Sequence, residues 1–108
     1  MLKMNLQIEL KNGVMTALIT GELDHHTAGI LREQIDTTAE RVRPKVLRLD
    51  FSEVPFMDSS GIAVVINAMR SMAQIEGRLI LSGIGDQPMK VFRASGMDKL
   101  VDFKEASV

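Results

Sequence analysis

The sequence passes from an extended to a helical pattern across residues 46–73, which read VLRLDFSEVPFMDSSGIAVVINAMRSMA. Residues 46–51 form a short, mostly apolar run, which is typical of a strand, and the later part has the three- and four-residue spacing of a helix. Residues 56–61 separate the two and are partly polar. They place two hydroxyls and a carboxylate at a helix N-terminus, where unpaired N–H groups and a partial positive charge favour an anion. The inward positions predicted for this helix are Ile62, Val65, Ile66, Met69 and Ala73.

Two strands are predicted before this stretch. Residues 4–10 alternate between apolar and polar, and residues 14–20 are mostly apolar. Residues 11–13, Lys-Asn-Gly, give a tight-turn signal, so we expect the two strands to form an antiparallel hairpin. One face of the first strand carries Met4, Leu6, Ile8 and Leu10.

A helix is predicted over residues 25–41, where apolar residues recur at helical spacing. Asp24 or Thr27 is expected to cap its N-terminus, because short polar side chains accept hydrogen bonds from the first N–H groups. The inward residues of this helix are Ala28, Leu31, Ile35 and Ala39.

The C-terminal part contributes shorter elements. Gly77 is predicted as the C-cap glycine of the second helix, and a strand follows at residues 78–82. A short helix over residues 88–95 starts with proline and stops at Gly96, as helix ends favour. Residues 100–103 are expected to form a last short strand. The predicted order is therefore β-β-α-β-α-β-α-β.

This order predicts one α/β domain over residues 1–108. Its mixed sheet has four to five strands: an antiparallel N-terminal hairpin, then parallel strands joined by crossover helices that pack against the sheet. The loops at residues 21–25 and 51–59 then leave the same carboxyl edge, where open α/β sheets usually place their sites. Asp24 and Ser59 are therefore expected to be neighbours in space.

Composition narrows the function classes. A chain of 108 residues with 45% hydrophobic and 25% charged content is typical of one globular domain. A net charge of −1 gives no general attraction to nucleic acid or anionic membrane, and there is no Trp or Tyr for base stacking. Without cysteine, disulfides and thiolate metal sites are excluded, and no apolar run is long enough to span a membrane. We expect a cytoplasmic domain with no metal and no cofactor.

Residues 58–61, Asp-Ser-Ser-Gly, allow two interpretations. Asp and Ser are preferred N-cap residues, so the segment is explained by capping alone. However, one cap needs one oxygen and this turn offers three, and spare polar groups on a loop are often functional. A phosphate on Ser59 would add about −1.5 to −2 charges beside a helix N-terminus, where negative charge is stabilised. Met57 is considered as an adaptable contact surface.

Three kinds of catalytic or metal site fit this sequence poorly. His25 and His26 are adjacent, unlike the i, i+4 pair of a zinc helix. A serine-hydrolase elbow requires Gly where Met57 stands. Residues 82–86 lack the full pattern of a phosphate-binding loop and are interpreted as a flexible connection. These patterns favour a binding module over an enzyme.

A receiver-like phosphoaspartate switch is a further alternative, with Asp50 or Asp58 as the acceptor. Such a domain needs acidic residues after its first strand to hold magnesium, whereas this first strand runs into residues 11–13 and a hairpin. A domain that senses a small ligand or a nucleotide at the carboxyl edge also remains open.

Three segments carry a resemblance to a known family: residues 21–28 (GELDHHTA), 49–52 (LDFS) and 56–61 (FMDSSG), with weaker support from 91–92 and 95–96. On these segments, in order over roughly residues 5–104, the chain resembles the anti-sigma factor antagonists built on the STAS domain. The segment with both histidines and the Met-Asp-Ser-Ser-Gly run look most like the sporulation members, and the stress-response members come next.

The resemblance implies a phosphorylation switch. Such a protein binds an anti-sigma factor that is also a serine kinase and so frees the sigma factor. The kinase phosphorylates the first serine of the motif, here Ser59, the modified protein dissociates, and a serine phosphatase restores it. Asp24 matches a position that contacts the kinase. The residues expected to bind the partner are Gly21, Glu22, Asp24, His25, Thr27, Met57, Asp58, Ser60, Gly61 and Ile62.

The chain departs from the family at its end. Family members usually continue into a further amphipathic helix, whereas residues 105–108 suffice for a fragment of one. We therefore expect one sheet face to have reduced cover.

Overall fold

The computed structural model describes residues 4–104, so the C-terminal segment at residues 105–108 lies outside the described residues. The strands are β1 (Asn5–Lys11), β2 (Val14–Thr20), β3 (Val46–Glu53), β4 (Arg78–Ser82) and β5 (Asp102–Lys104). The helices are α1 (His25–Val42), α2 (Ser60–Gln74) and α3 (Asp86–Ser95), with a short 3-10 turn at Met97–Lys99.

The five strands form one sheet in the order β1-β2-β3-β4-β5. β1 and β2 are antiparallel, and every later pair is parallel. The predicted α/β class, the hairpin and the parallel β-α-β-α-β arrangement are confirmed. Because the strands advance in one direction, right-handed crossovers place each connecting helix on the same face.

The core confirms that arrangement. Inward side chains of β2 and β3, such as Met15 and Leu49, are buried together with the predicted inward face of α1. Phe92 of α3 lies between Phe51 and Phe103, with ring centroids 5.9 and 5.8 Å apart. All three helices therefore pack against one face of the sheet.

The buried stripe of α2 differs from the prediction. Ile62 and Val65 are buried as expected, but Ala73 is exposed, and Ile66 and Met69 are only half-buried. The helix is rotated by about one residue relative to the predicted face. Its buried residues are Gly61, Ile62, Val64, Val65, Ala68 and Met72.

Gly77 is not the C-cap of α2, so that prediction is wrong. The left-handed residue is Glu76, with φ 57°. Its N–H donates to Ala73 O at 3.1 Å, and the Gly77 N–H donates to Met72 O at 2.8 Å, which is the Schellman pattern. Gly77 serves packing instead, because a Cβ there would collide with the Met72 side chain and approach Lys45 O to 3.1 Å.

One helix boundary and the cover of one strand also differ from the prediction. α3 begins at Asp86, two residues before its proline, and the predicted stop at Gly96 is confirmed, since Ser95 is the last helical residue and Gly96 is the C-cap, in the left-handed conformation. In β1 the predicted apolar face points toward the core side, yet Ile8 and Leu10 are 39% and 54% exposed. β1 lies at the edge of the sheet, where less of its apolar face is covered.

A polar contact ties α1 to α2. The Asp36 carboxylate accepts a hydrogen bond from Asn67 Nδ2 and another from Ser71 Oγ at 3.1 Å. These half-buried groups satisfy one another in the interface between the two helices.

Candidate functional site

Ser59 presents an unengaged hydroxyl at the start of α2. Its side chain is exposed and its backbone is already helical, with φ −64° and ψ −16°. Although Ser59 occupies the N-cap position, its side chain makes no capping hydrogen bond. The hydroxyl is therefore accessible to chemistry without loss of a helix cap.

Asp58 makes the capping bonds instead. Its Oδ1 accepts from the Ser60 N–H at 2.7 Å, and its carbonyl accepts from the Gly61 N–H at 3.0 Å. The Ile62 N–H donates to Ser59 O at 3.1 Å. The structural-cap interpretation thus holds for Asp58 and fails for Ser59. The expectation of unpaired N–H groups at this helix end is wrong for residues 60–62.

Asp24 caps α1 in a capping box. Its Oδ1 accepts from the His26 and Thr27 N–H groups at 2.9 and 3.1 Å, and the Asp24 N–H donates to Thr27 Oγ1 at 3.0 Å. The hydrogen bond from the Thr27 backbone is the main cause that lowers the pKa of the Asp24 carboxyl, although partial desolvation opposes it. Both proposed N-caps therefore take part, with Asp24 charged at neutral pH.

The loops that carry Asp24 and Ser59 are joined by backbone hydrogen bonds, as predicted from the topology. The Leu23 N–H donates to Phe56 O at 3.0 Å, and the Asp58 N–H donates to Leu23 O at 3.1 Å. Leu23 and Met57 thus form an isolated parallel bridge beyond the strand ends. The two loops form one continuous rim at the carboxyl edge.

The Gln87 side chain binds the Met57 backbone on the side of the Ser59 loop that faces away from Leu23. Its Oε1 accepts from the Met57 N–H at 2.8 Å, and its Nε2 donates to Met57 O at 2.9 Å. We call this pair of bonds the Gln87 clamp. Sequence reasoning missed Gln87, because a single glutamine near a helix start forms no recognisable pattern.

Met57 is wholly buried, so its predicted role as a contact surface is wrong. Its side chain packs under α2 against Gly61, where a Cβ would occupy the space of Met57 Cγ and Sδ and approach Leu23 Cδ2 to 3.1 Å. Its backbone is held by the bridge and the Gln87 clamp. The buried Met57 side chain therefore holds residues 57–61 against the core.

Three further predicted contact residues are buried. Gly61 and Ile62 lie within the core at the start of α2. Gly21 adopts φ 108° and donates to Glu53 O at 3.0 Å, so it shapes the neighbouring loop. These residues shape the rim and present little surface.

The accessible predicted residues share one rim. Glu22, His25 and Ser59 are exposed, whereas Asp24, Thr27, Asp58 and Ser60 are half-buried. Phe56, which was not among the residues expected to bind the partner, is 40% exposed beside them. Solvent-exposed aromatic side chains are common anchors in protein interfaces.

His25 and His26 lie edge-on to one another, with ring centroids 5.8 Å apart. Among residues 4–104, no group of three or more His, Cys, Asp or Glu side chains is placed to hold a metal ion. In the same part of the chain, no helix is both long enough and apolar enough to cross a membrane.

Two residues at the start of the 82–86 segment lie close to β3. Ser82 is buried and accepts a hydrogen bond from Arg48 Nε at 3.1 Å. Gly83 has φ 68°, and a Cβ there would approach the Ser52 N and Cβ atoms to 2.8 Å. Gly83 is explained by this close approach, and the flexible connection expected for residues 82–86 stays a prediction.

An open groove of about 450 Å³ adjoins the rim. It runs between the ends of β2 and β3 and the start of α3, and Gln87 belongs to its wall. A second groove of about 460 Å³ lies elsewhere, between β1 and α1, and its lining includes Leu6 and Thr37. The first groove meets the rim through Gly21 and Gln87.

Comparison with known proteins gives consistent matches. The family model of the STAS domain matches residues 5–107. An anti-sigma-B factor antagonist of Listeria monocytogenes is 31% identical over 104 residues, 94% of this chain and 90% of the relative. An anti-sigma F factor antagonist of Paenibacillus polymyxa is 31% identical over 107 residues, 97% of this chain and 92% of the relative.

Two solved structures are also similar to this chain. The anti-sigma factor antagonist SpoIIAA in its unphosphorylated form superposes with a TM-score of 0.82 at 30% identity, covering 94% of this chain and 88% of SpoIIAA. SpoIIAA of Bacillus in its phosphorylated form gives a TM-score of 0.74 at 30% identity, covering 94% of this chain and 91% of SpoIIAA.

Proposed function

Because the chain belongs to the STAS domain family, we propose that it is an anti-sigma factor antagonist whose partner binding is switched by phosphorylation of Ser59. The observation that carries the proposal is the exposed hydroxyl of Ser59, which makes no cap bond because Asp58 caps the helix. Relatives named anti-sigma factor antagonists, and the two solved states of SpoIIAA, support it.

The proposed partner is an anti-sigma factor that is also a serine kinase. The unphosphorylated domain binds it and so frees the sigma factor. The rim offers Glu22, Asp24, His25 and Phe56 beside Ser59. We assign no catalysis to the domain itself, and we place the switch in the cytoplasm, where ATP supplies the phosphoryl group.

Phosphorylation is proposed to act through charge. The phosphoryl group adds about −1.5 to −2 charges to a rim that already carries Asp24 and Asp58. The N–H groups of residues 60–62 already donate hydrogen bonds to Asp58 and Ser59, so the support for the new charge comes from the dipole of α2 rather than from free N–H groups. The fold therefore stays unchanged, and repulsion and bulk weaken partner binding. A serine phosphatase would reset the switch.

The controlled sigma factor is proposed to be of the sporulation type, on the basis of the Met-Asp-Ser-Ser-Gly run and the two histidines. The relatives named for sigma B and for sigma F are both 31% identical to this chain. Binding assays against both kinds of anti-sigma factor would decide between sporulation and stress response.

The decisive experiment combines the domain with its anti-sigma kinase and ATP, followed by intact-protein mass spectrometry. Wild type is expected to gain one phosphate, Ser59→Ala none, and the matched control Ser60→Ala one. Stoichiometric phosphate on Ser59→Ala would refute the assignment. Ser59→Asp is expected to fold normally and bind the kinase weakly, and binding equal to wild type would contradict the repulsion mechanism.

Two alternative functions can be tested with the same purified domain. The groove of about 450 Å³ favours a ligand-sensing function, which titration of the unphosphorylated domain with nucleotides would reveal. The receiver-like alternative gains no support, since the Oδ1 atoms of Asp50 and Asp58 accept local backbone N–H groups. An acyl phosphate would be cleaved by hydroxylamine, whereas phosphoserine would survive.

A further inference from the structure

The Gln87 clamp joins two parts of the chain that are far apart in sequence. Gln87 stands in the first turn of α3, and the Met57 backbone that it contacts lies two residues before Ser59. The amide uses its oxygen as an acceptor and its NH₂ group as a donor, and these match the N–H and the C=O of Met57 as a neighbouring strand would.

The Gln87 clamp satisfies the backbone hydrogen bonds on the second side of residues 56–58, which are extended like a short strand. On one side, Phe56 O and the Asp58 N–H pair with Leu23. On the other side, the N–H and C=O of Met57 have only the Gln87 side chain as their partner among the bonds of residues 4–104. Because the Met57 side chain faces the core, the segment is fixed on three sides. Removing Gln87 releases one of them.

From this geometry we infer that Gln87 is a positioning residue that presents Ser59 to the phosphorylating enzyme; the inference rests on the proposed function. A kinase can transfer the phosphoryl group only after the serine and its loop have docked in one defined arrangement. A loop that is already ordered loses less conformational entropy when it docks. The clamp therefore favours docking of the loop.

This role predicts a specific kinetic signature. A released loop must be ordered during docking, so the effect falls on the KM for the domain. The phosphoryl-transfer step in the docked complex keeps its geometry, so kcat changes little. We expect the KM of Gln87→Met to rise roughly tenfold, with kcat within about twofold of wild type.

Gln87→Met suits the test, because methionine has nearly the same length and volume but neither donates nor accepts strongly. Gln87→Glu keeps an acceptor for the Met57 N–H and loses the donor to Met57 O at neutral pH, so an intermediate KM is expected. Gln34→Met, at an exposed position of α1, is the matched control and is expected to behave as wild type.

Two measurements test the hydrogen bonds of the clamp and its effect on phosphorylation separately. Amide hydrogen exchange reports the clamp without any kinase: protection of the Met57 N–H is expected to fall about tenfold or more in Gln87→Met, while core amides of β3 keep theirs. Steady-state phosphorylation by the anti-sigma kinase and ATP, quantified at Ser59, then reports positioning. Circular dichroism and thermal melting establish that each variant is folded.

The outcomes are distinct. Lost Met57 protection together with a raised KM supports the inference. Unchanged Met57 protection in Gln87→Met overturns the clamp, and lost protection with wild-type KM and kcat overturns its positioning role. If wild type itself gains no phosphate on Ser59, the proposed function fails, and the inference fails with it.

Discussion

Replacing Asp58 by Ala should destabilise the domain, whereas replacing Ser59 by Ala should hardly affect its stability. The two residues are neighbours at the same helix end, and both are residue types that cap helices well. In the structure only Asp58 caps: its Oδ1 accepts from the Ser60 N–H at 2.7 Å, while the Ser59 side chain makes no cap bond.

The expected loss of stability in Asp58→Ala follows from the lost hydrogen bond to the Ser60 N–H. Removing a side-chain N-cap typically lowers the free energy of unfolding by about 1 kcal/mol, within a range of roughly 0.5–2 kcal/mol. For Ser59→Ala, an exposed change without a lost hydrogen bond, the expected change is within about 0.5 kcal/mol. In a domain of this size, about 1 kcal/mol corresponds to a fall in Tm of roughly 4 °C.

Urea unfolding followed by circular dichroism would measure both variants. With a slope of about 2 kcal/mol per molar urea, Asp58→Ala should lower the midpoint by about 0.5 M at an unchanged slope. Ser60→Ala, which keeps the Ser60 N–H and its bond, provides the control. If Ser59→Ala destabilised the domain as much as Asp58→Ala, the cap would belong to Ser59, and the argument that its hydroxyl is unengaged would be refuted.

Three further perturbations test other parts of the structure. Gly83→Ala should lower the free energy of unfolding by about 2–4 kcal/mol, because φ is 68° and the new Cβ meets Ser52 at 2.8 Å. The control Gly29→Ala, with nothing within 4 Å, should stabilise the helix by up to about 1 kcal/mol, and equal effects in chemical denaturation would contradict this reasoning. Asp24→Asn should flatten the pH dependence of stability. Because folding lowers the pKa of Asp24, its ionised carboxylate stabilises the fold above the unfolded pKa of about 3.9, and this stabilisation is lost as the pH falls through the folded pKa. Urea midpoints between about pH 3 and pH 7 would show this, and identical profiles would exclude it. Phe92→Ala should lower the free energy of unfolding by about 3–5 kcal/mol, since its ring joins Phe51 and Phe103, and a smaller loss of stability in urea would mean that the core re-packs.

The topology was predictable because its causes are local or general. Alternation in β1, helical spacing in α1 and the turn at residues 11–13 define the elements, and the crossover rule then orders the parallel strands. The same rule brought the Asp24 and Ser59 loops to one edge, which the Leu23–Met57 bridge confirms.

What could not be predicted depends on tertiary contacts. Met57 sits in a polar segment, and only the packing against Gly61 shows that its side chain points into the core. Local preference allows Asp58 and Ser59 equally as caps, and the choice is settled by the turn that leads into α2. The Gln87 clamp spans 30 residues, a separation at which a single sequence carries no signal.

The one-sided placement of the helices has a practical consequence for labelling. Glu9 pairs with Thr16 on the sheet face opposite the helices, and its side chain is exposed. Since the chain contains no cysteine, Glu9→Cys would create a unique thiol for a fluorophore or a surface linker. A dye attached there would lie away from the carboxyl edge that carries Ser59, so its fluorescence anisotropy would test the proposed partner binding without obstructing that edge.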